Sequence, residues 1–318
     1  MVFNLVYMAK PIYGGWVTMT AHLSLKYDYP LYKITKRTEK TKRNFGYSVK
    51  YQNMNIEDIL KLDNILITAL DKHYYEYLDM FPDNTNIIMH DPNDYKNKDV
   101  LNFLKRCNVF TIRESVENHL QEIHNIKSVF KYHPFYEYNK NFYKNNINDN
   151  CISISRIDFD KHTDIILKAN PLINDDCNKI QIYGKENRLY VNFKLNDLNF
   201  TEYWKGKYDK TLPMSYEDRD MLNNCKYVID MSIIKNDGGG TQYTFLEAIY
   251  HDCILILHKE WIAKGELFKD KHNCYVIGYT ECIEQELADI INKKNIELDD
   301  MILKNSKEIM VNNVNILW

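Results

Sequence analysis

The sequence lacks several features that would place it in familiar classes of protein. No stretch approaches the ~18 consecutive apolar residues of a membrane-spanning helix, and the apolar residues at the N-terminus are too few for a signal peptide. Neither GxxxxGKS nor GxxxxGKT occurs, which disfavours a nucleotide hydrolase with the standard phosphate-binding lysine loop. We therefore expect a soluble, cytoplasmic protein without a membrane partner.

Paired cysteines are missing as well. The seven cysteines are scattered, form no CxxC pair and are odd in number. This distribution is typical of reduced thiols in a cytosolic protein, and it favours neither a disulfide framework nor a zinc site. The net charge of −3 also argues against a protein that binds nucleic acid over its whole surface.

The chain is long enough for two domains, because 318 residues with 45% apolar content can form a large core. Strand and helix patterns alternate in both halves, and a run rich in Asn and Lys at 139–150 separates them. This alternation predicts an α/β protein. We expect domains at 1–148 and 149–305, and a C-terminal helix at 306–318 that can cross back to the first domain.

Two strands of the first half end in residues suited to a ligand. Gly14 and Gly15 lie between the strand predicted at 3–8 and a helix, and His90 and Asp91 follow the strand predicted at 86–89. Ligands of open parallel sheets bind at the carboxyl ends of the strands. The alternative for His90 and Asp91 is an ordinary turn with a capping aspartate.

The second half contains a glycine run followed by a helix pattern. Thr241, as N-cap, would follow Gly238, Gly239 and Gly240. The N–H groups of such a helix start favour a phosphate, which glycine allows to approach closely. Glu247, about two turns into the helix, can accept hydrogen bonds from a vicinal diol such as a ribose. The alternative is a loop and a core helix with a surface glutamate.

A basic segment lies at 33–50. It contains seven cations against the single carboxylate of Glu39. Such a segment can contact the phosphates of DNA, although basic loops are often only solvated. Its candidate contacts with nucleic acid are Lys36, Arg37, Lys40, Lys42 and Arg43.

Five short motifs occur in an order that resembles a known enzyme family. They are Gly14-Gly-Trp-Val-Thr18, Met89-His-Asp91, Ser155-Arg-(x4)-Lys161-His-Thr163, Ile182-Tyr-Gly184 and Gln242-Tyr-Thr-Phe-Leu-Glu247. This order resembles the GT-B glycosyltransferases, and more narrowly the bacteriophage DNA α-glucosyltransferases. The resemblance implies two Rossmann-like domains facing a cleft, and retaining transfer of glucose from UDP-glucose to a hydroxymethylated base in double-stranded DNA, in the host cytoplasm if the source is viral.

The resemblance also implies roles for individual residues. Arg156 and Lys161 would hold the two phosphates, Glu247 the ribose, and His90 and Asp91 would carry the catalytic chemistry. The remaining donor-binding candidates are Gly14, Gly15, Tyr183, Gly184, Gly238, Gly239, Gly240, Thr241, Gln242 and Tyr243. The UDP-sugar is the donor substrate, and neither a cofactor nor a metal is expected.

The sequence departs from the family at one position and leaves other functions open. Many retaining GT-B enzymes have a glutamate eight positions before the one at Glu247, but Gly239 stands there, so Asp237 or backbone amides would have to replace it. Asp158-Phe-Asp160 matches the metal-binding DxD pattern, yet it lies between the two phosphate candidates. The open alternatives are a glycan or protein acceptor, and a nucleotide-binding α/β protein without catalytic activity.

Overall fold

The computed structural model of the chain describes residues 2–10, 14–34, 49–90, 96–138, 150–207, 220–235 and 237–318. These residues form two compact units. Unit 1 comprises the described residues up to Tyr138 together with Asn313–Trp318, and unit 2 comprises those from Asn150 to Asn312. Each unit has its own hydrophobic core.

Unit 1 is built on a seven-stranded parallel sheet with the strand order β3-β2-β1-β4-β5-β6-β7. Its strands are β1 (Asn4–Met8), β2 (Leu31–Ile34), β3 (Gln52–Met54), β4 (Ile65–Leu70), β5 (Asn86–Met89), β6 (Asn108–Thr111) and β7 (Ser128–Phe130). Its α-helices are α1 (Gly15–Tyr27), α2 (Ile56–Ile59), α3 (Lys98–Leu104) and α4 (Glu114–His124), and a 3-10 helix spans Lys72–Met80. Strand β4 is buried along its whole length, as expected for a parallel strand with both faces covered.

Unit 2 is built on a five-stranded parallel sheet with the strand order β12-β11-β10-β8-β9. Its strands are β8 (Asn150–Ile154), β9 (Gln181–Tyr183), β10 (Cys225–Asp230), β11 (Ile254–His258) and β12 (Tyr275–Ile277). Its α-helices are α5 (Thr163–Ala169), α6 (Arg188–Tyr190), α7 (Phe200–Tyr203), α8 (Asp220–Asn223), α9 (Tyr243–Tyr250), α10 (Lys259–Ile262), α11 (Ile283–Lys293) and α12 (Ile296–Asn315). Short 3-10 helices span Asn170–Leu172 and Asp176–Asn178, and a π-helix spans Val191–Leu195. The predicted α/β class with two Rossmann-like sheets is thus confirmed.

The C-terminal residues Asn313–Trp318 belong to unit 1. The Phe135 N–H donates to the carbonyl oxygen of Asn313 at 3.1 Å, and the Tyr29 hydroxyl donates to that of Trp318 at 3.0 Å. The Trp318 indole donates to the Tyr132 carbonyl oxygen at 3.3 Å. These bonds fix the end of the chain against unit 1.

Within the described residues, no helix combines the length and the apolar composition that are needed to cross a membrane.

Candidate active site

Buried polar side chains gather at the carboxyl edge of the unit 2 sheet. Among the described residues of unit 2, the buried side-chain atoms without a hydrogen-bond partner are Glu186 Oε2, Asn223 Nδ2, Asp230 Oδ2, Gln242 Nε2 and His258 Nε2. All except the Asn223 amide lie at the carboxyl ends of strands or in the connections that leave them. Because buried polar groups are normally hydrogen-bonded, this concentration indicates a place where a ligand supplies the partners.

Lys161 is a buried cation at this edge. Its side chain follows β8, is only 7% exposed, and donates from Nζ to Ser232 Oγ at 2.6 Å. The Ile233 N–H donates to the Asp160 carbonyl oxygen at 2.9 Å, which joins the two loops beside this contact. In the part of the chain that the structure describes, Lys161 has no carboxylate partner. An ammonium that keeps unused N–H donors in a buried position is suited to an anionic ligand.

Arg156, the other predicted phosphate contact, is in a different state. Its side chain is 63% exposed and its guanidinium pairs with Asp158 at 3.0 Å and Asp160 at 2.9 Å. The two carboxylates of the DxD pattern are therefore the ion-pair partners of an arginine. Arg156 would have to exchange at least one of them to bind a phosphate.

The glycine loop is bound by the protein itself at its first two amides. The Gly238 N–H donates to Asp237 Oδ1 at 2.9 Å, and the Gly239 N–H donates to the Trp261 carbonyl oxygen at 2.7 Å. A Cβ on Gly239 would lie 2.4 Å from the Gly265 nitrogen. Glycine is thus required here because backbone packs on backbone, and the predicted role of these two amides in donor binding stays a prediction.

The start of α9 differs from the predicted capped helix. Gln242, not Thr241, is the N-cap, with φ −125° and ψ 157°, and no side chain caps the helix. The Thr241 hydroxyl donates to the Gln242 carbonyl oxygen at 3.2 Å, so it is not placed to accept from the helix N–H groups. In the described part of the chain, no acceptor is bonded to the N–H groups of Gly240, Thr241 or Gln242. These donors, next to the predicted contact Tyr243, remain suited to an anion.

Glu247 lies on α9 and is fully buried. The alternative interpretation of this stretch required a surface glutamate, and that is not what the structure shows. A carboxylate withdrawn from water needs hydrogen-bond donors around it. Its proposed ribose contact stays a prediction.

Gly184 follows β9 and has both backbone groups occupied. Its N–H donates to the Gly206 carbonyl oxygen at 2.9 Å, and its carbonyl oxygen accepts from the Trp204 indole at 3.0 Å. A Cβ at this position would lie 1.7 Å from the Ser155 oxygen, so only glycine fits. Burial raises the pKa of the neighbouring Tyr183 hydroxyl, which bonds to Gln181 at 3.1 Å.

Gly14 and Gly15 at the start of α1 are different. Gly14 has φ +101° and its carbonyl oxygen accepts from the Thr18 N–H at 3.0 Å. No described atom lies within 4 Å of a Cβ built on either glycine. None of the residues that the structure describes fills this space, which suits close approach by a ligand.

His90 follows β5 in unit 1. Its Nε2 lies 2.8 Å from the carbonyl oxygen of Thr68, on the neighbouring strand β4. Because a carbonyl only accepts, Nε2 donates the proton of this hydrogen bond. The Thr68 hydroxyl is held in turn by Thr20 at 2.8 Å. Outside the described residues lie Asp91 and the basic candidates Lys36, Arg37, Lys40, Lys42 and Arg43.

The structure adds residues that the sequence interpretation missed. Asp230 ends an apolar strand and Ser232 follows it, and polar residues at the end of a strand are the signal that singled out His90, so both could have been found. Trp261 and Lys264 support the glycine loop from α10 and the turn after it, and no local pattern marks them.

The fold matches solved structures, whereas the sequence matches no family model and no curated protein. Anabaena Alr3699/HepE in complex with UDP and glucose has a TM-score of 0.67 at 13% identity, over 98% of this chain and 97% of that one. A glycosyltransferase from Rickettsia africae ESF-5 has 0.66 at 14% identity, over 98% and 94%. An alpha-glucosyltransferase in complex with UDP and a 13-mer DNA containing a HMU base has 0.68 at 14% identity, over 98% and 95%. The chain therefore has the GT-B fold, which confirms the predicted resemblance at the level of fold.

Proposed function

We propose that the chain is a retaining glycosyltransferase that moves a hexose, glucose as first candidate, from a UDP-sugar to an acceptor hydroxyl. The observation that carries this proposal is Lys161, a buried ammonium bonded to Ser232 at 2.6 Å at the carboxyl edge of a parallel sheet. The matched solved structures that hold UDP or UDP and glucose support a nucleotide diphosphate as its anion.

The donor half of the reaction needs stabilisation of the leaving UDP. Negative charge develops on the diphosphate as the bond to the sugar breaks, and a fixed cation in a site withdrawn from water stabilises that charge. Lys161 supplies it, Arg156 adds a second cation once it leaves Asp158 or Asp160, and Glu247 holds the ribose. No metal is required in this scheme, because protein cations neutralise the diphosphate.

The acceptor half of the proposal rests on a matched structure and on the basic segment. One matched structure, an alpha-glucosyltransferase, holds a 13-mer DNA with a HMU base, and the basic segment at 33–50 suits contacts with phosphates. We propose a hydroxymethylated base in double-stranded DNA as the acceptor, in the cytoplasm. His90 would then bond the donor sugar through a fixed ring, while Asp91 takes the proton of the acceptor hydroxyl.

The test is a transfer assay on the full chain with UDP-glucose, in the presence and absence of EDTA. Hydroxymethylated and unmodified duplexes are compared by mass spectrometry, and the anomeric configuration of the product is read by NMR. We expect an α-linked hexose on the hydroxymethylated duplex alone. Release of free glucose without transfer to DNA would point to a glycan or protein acceptor. Binding of UDP-glucose with no turnover at all would contradict the proposal in favour of a nucleotide-binding protein.

A further inference from the structure

We infer that Asp230 is a specificity-determining residue of this site, whose carboxylate accepts a hydrogen bond from a hydroxyl of the donor sugar. The inference rests on the proposed function. It concerns a residue that the sequence interpretation did not single out.

Asp230 is a buried carboxylate with one oxygen left over. It is the last residue of β10 and is 4% exposed. Its Oδ1 accepts from the Ser232 N–H at 2.9 Å, whereas Oδ2 is buried without a partner in the described part of the chain. A buried carboxylate oxygen without a donor is costly, so Oδ2 is suited to accept a hydrogen bond from a ligand.

Asp230 lies in the middle of the carboxyl edge of the unit 2 sheet. Strand β10 lies between β8 and β11, and Asp230 pairs in register with Leu257, one residue before the end of β11. Lys161 stands in the loop after β8. The carboxylate is therefore placed among the strand ends where a ligand of this sheet binds.

Ser232 separates the two charged groups. Its N–H bonds to Asp230 and its hydroxyl accepts from Lys161 at 2.6 Å, and the described residues contain no ion pair between Asp230 and Lys161. The Lys161 ammonium is thus suited to an anionic ligand, and the Asp230 carboxylate to a neutral hydrogen-bond donor. A phosphate cannot take the place beside Asp230, because like charges repel.

The donor itself contains a group of the required kind. The sugar is joined directly to the diphosphate, so it lies next to whatever Lys161 binds, and its hydroxyls are neutral hydrogen-bond donors. A hydrogen bond to a charged partner contributes roughly 1.5–3 kcal/mol, which corresponds to about a 10- to 100-fold effect on binding or rate. The same contact makes the site reject a sugar that lacks this hydroxyl.

Asp230→Asn is the matched variant. The asparagine keeps the oxygen that accepts from Ser232 and replaces Oδ2 by an amide, which donates instead of accepting. Wild type and variant are compared for kcat/KM with UDP-glucose and with UDP-glucose analogues deoxygenated at one carbon each, and for the affinity of UDP alone. Asp289→Asn, an exposed carboxylate on α11, is the control.

In the wild type we expect one deoxy analogue to lose about 10- to 100-fold in kcat/KM. With UDP-glucose, Asp230→Asn should show the same loss in kcat/KM, and changing its substrate to that analogue should lower kcat/KM no further. Its affinity for UDP should stay within twofold of wild type. The inference would be overturned, with the proposed function intact, by either of two results. One is that the loss in kcat/KM from Asp230→Asn multiplies with the loss from every deoxy analogue. The other is that Asp230→Asn loses affinity for UDP. A wild type that neither binds UDP nor releases glucose would overturn both.

Thermal shifts give a readout that needs no turnover. Asp230→Asn removes a buried charge that no described cation pairs with and keeps the bond from the Ser232 N–H, so the Tm of the free protein should be unchanged or higher. The additional stabilisation by UDP-glucose over UDP should shrink in Asp230→Asn. If that additional stabilisation is retained in a folded variant, Asp230 does not contact the sugar.

Discussion

Trp261 holds the glycine loop through both its backbone and its side chain: its carbonyl oxygen accepts from the Gly239 N–H at 2.7 Å, and its indole donates to the Gly240 carbonyl oxygen at 3.0 Å. The loop is therefore shaped by α10 before any ligand arrives. Preorganised N–H donors lose little entropy on binding, which increases their contribution to affinity.

Lys264 provides the first prediction. Its Nζ donates to the carbonyl oxygens of Ile234 and Asp237, the latter at 2.8 Å, so Lys264→Met removes two bonds that hold the loop. In Lys264→Met we expect the KM for the donor to rise about 5- to 20-fold with a smaller change in kcat. Lys264→Arg should show a smaller rise in this KM. Lys259→Met, at the start of α10, is the control. Equal donor KM values in both variants would contradict a positioning role.

Gly15 and Gly239 provide a contrasting pair. A Cβ at Gly15 meets no described atom within 4 Å, whereas at Gly239 it meets backbone at 2.4 Å. Gly15→Ala should keep the Tm, since alanine favours the helix, yet raise the donor KM if a ligand approaches there. Gly239→Ala should lower the Tm strongly. A Gly15→Ala enzyme with normal donor kinetics would remove Gly15 from the donor site.

Some elements of the fold could be predicted from the sequence and others could not. The strands at 3–8 and 86–89 were predicted and correspond to β1 and β5. The short strands β2, β3 and β7 and the helical segment after β9 were not, because mixed polar composition carries no clear period.

The site was predictable in its residue types but not in its contacts. A glycine run signals close approach, yet only the fold shows that at Gly239 the approaching group is the backbone of Lys264 and Gly265. Likewise, Arg156 and Lys161 looked equivalent as cations in one loop. Burial and partners, which depend on tertiary packing, distinguish them.

That distinction is itself testable. Lys161→Met removes a buried cation that no described carboxylate pairs with, so UDP affinity should fall at least about 100-fold while the Tm is unchanged or higher. Arg156→Met should weaken UDP affinity less, because the exposed guanidinium first has to leave Asp158 and Asp160. Lys168→Met, an exposed lysine on α5 paired with Asp164, is the control. A larger effect of Arg156→Met than of Lys161→Met would reverse the assignment.

His133 predicts a pH dependence of stability. Burial, and then the nearby Arg113, His90 and His22, hold its pKa well below the ordinary value of 6.5. The native ring stays neutral while the unfolded chain gains a proton below pH ~6.5. The free energy of unfolding therefore falls as the pH drops through 6.5 towards the native pKa.

This contribution is about 1 kcal/mol between pH 7 and pH 5.5. His133→Gln should reduce the pH dependence of urea unfolding by that amount over the same interval. His73→Gln, which removes an exposed histidine, is the control. A pH dependence that is the same in wild type and His133→Gln would show that the buried ring does not resist protonation.

The basic segment yields the prediction that bears on the acceptor. Each cation that contacts a DNA phosphate releases a counterion, so the logarithm of the binding constant falls with the logarithm of the salt concentration by about 0.9 per contact. Replacing Lys36, Arg37, Lys42 and Arg43 by glutamine should weaken duplex binding and flatten this slope by up to about 4. Fluorescence anisotropy over a salt series measures both.

The control must remove the same charge elsewhere, because any loss of cations weakens DNA binding through the overall field of the protein. Lys185, Arg188, Lys194 and Lys205 lie in unit 2, and replacing them by glutamine changes the net charge equally. If the segment at 33–50 contacts DNA, the salt slope flattens in the variant of that segment and not in the control. A general effect of the protein's field would flatten the slope in both. Equal slopes in the two variants would remove the basic segment from DNA recognition, and with it the main sequence-based reason for a DNA acceptor.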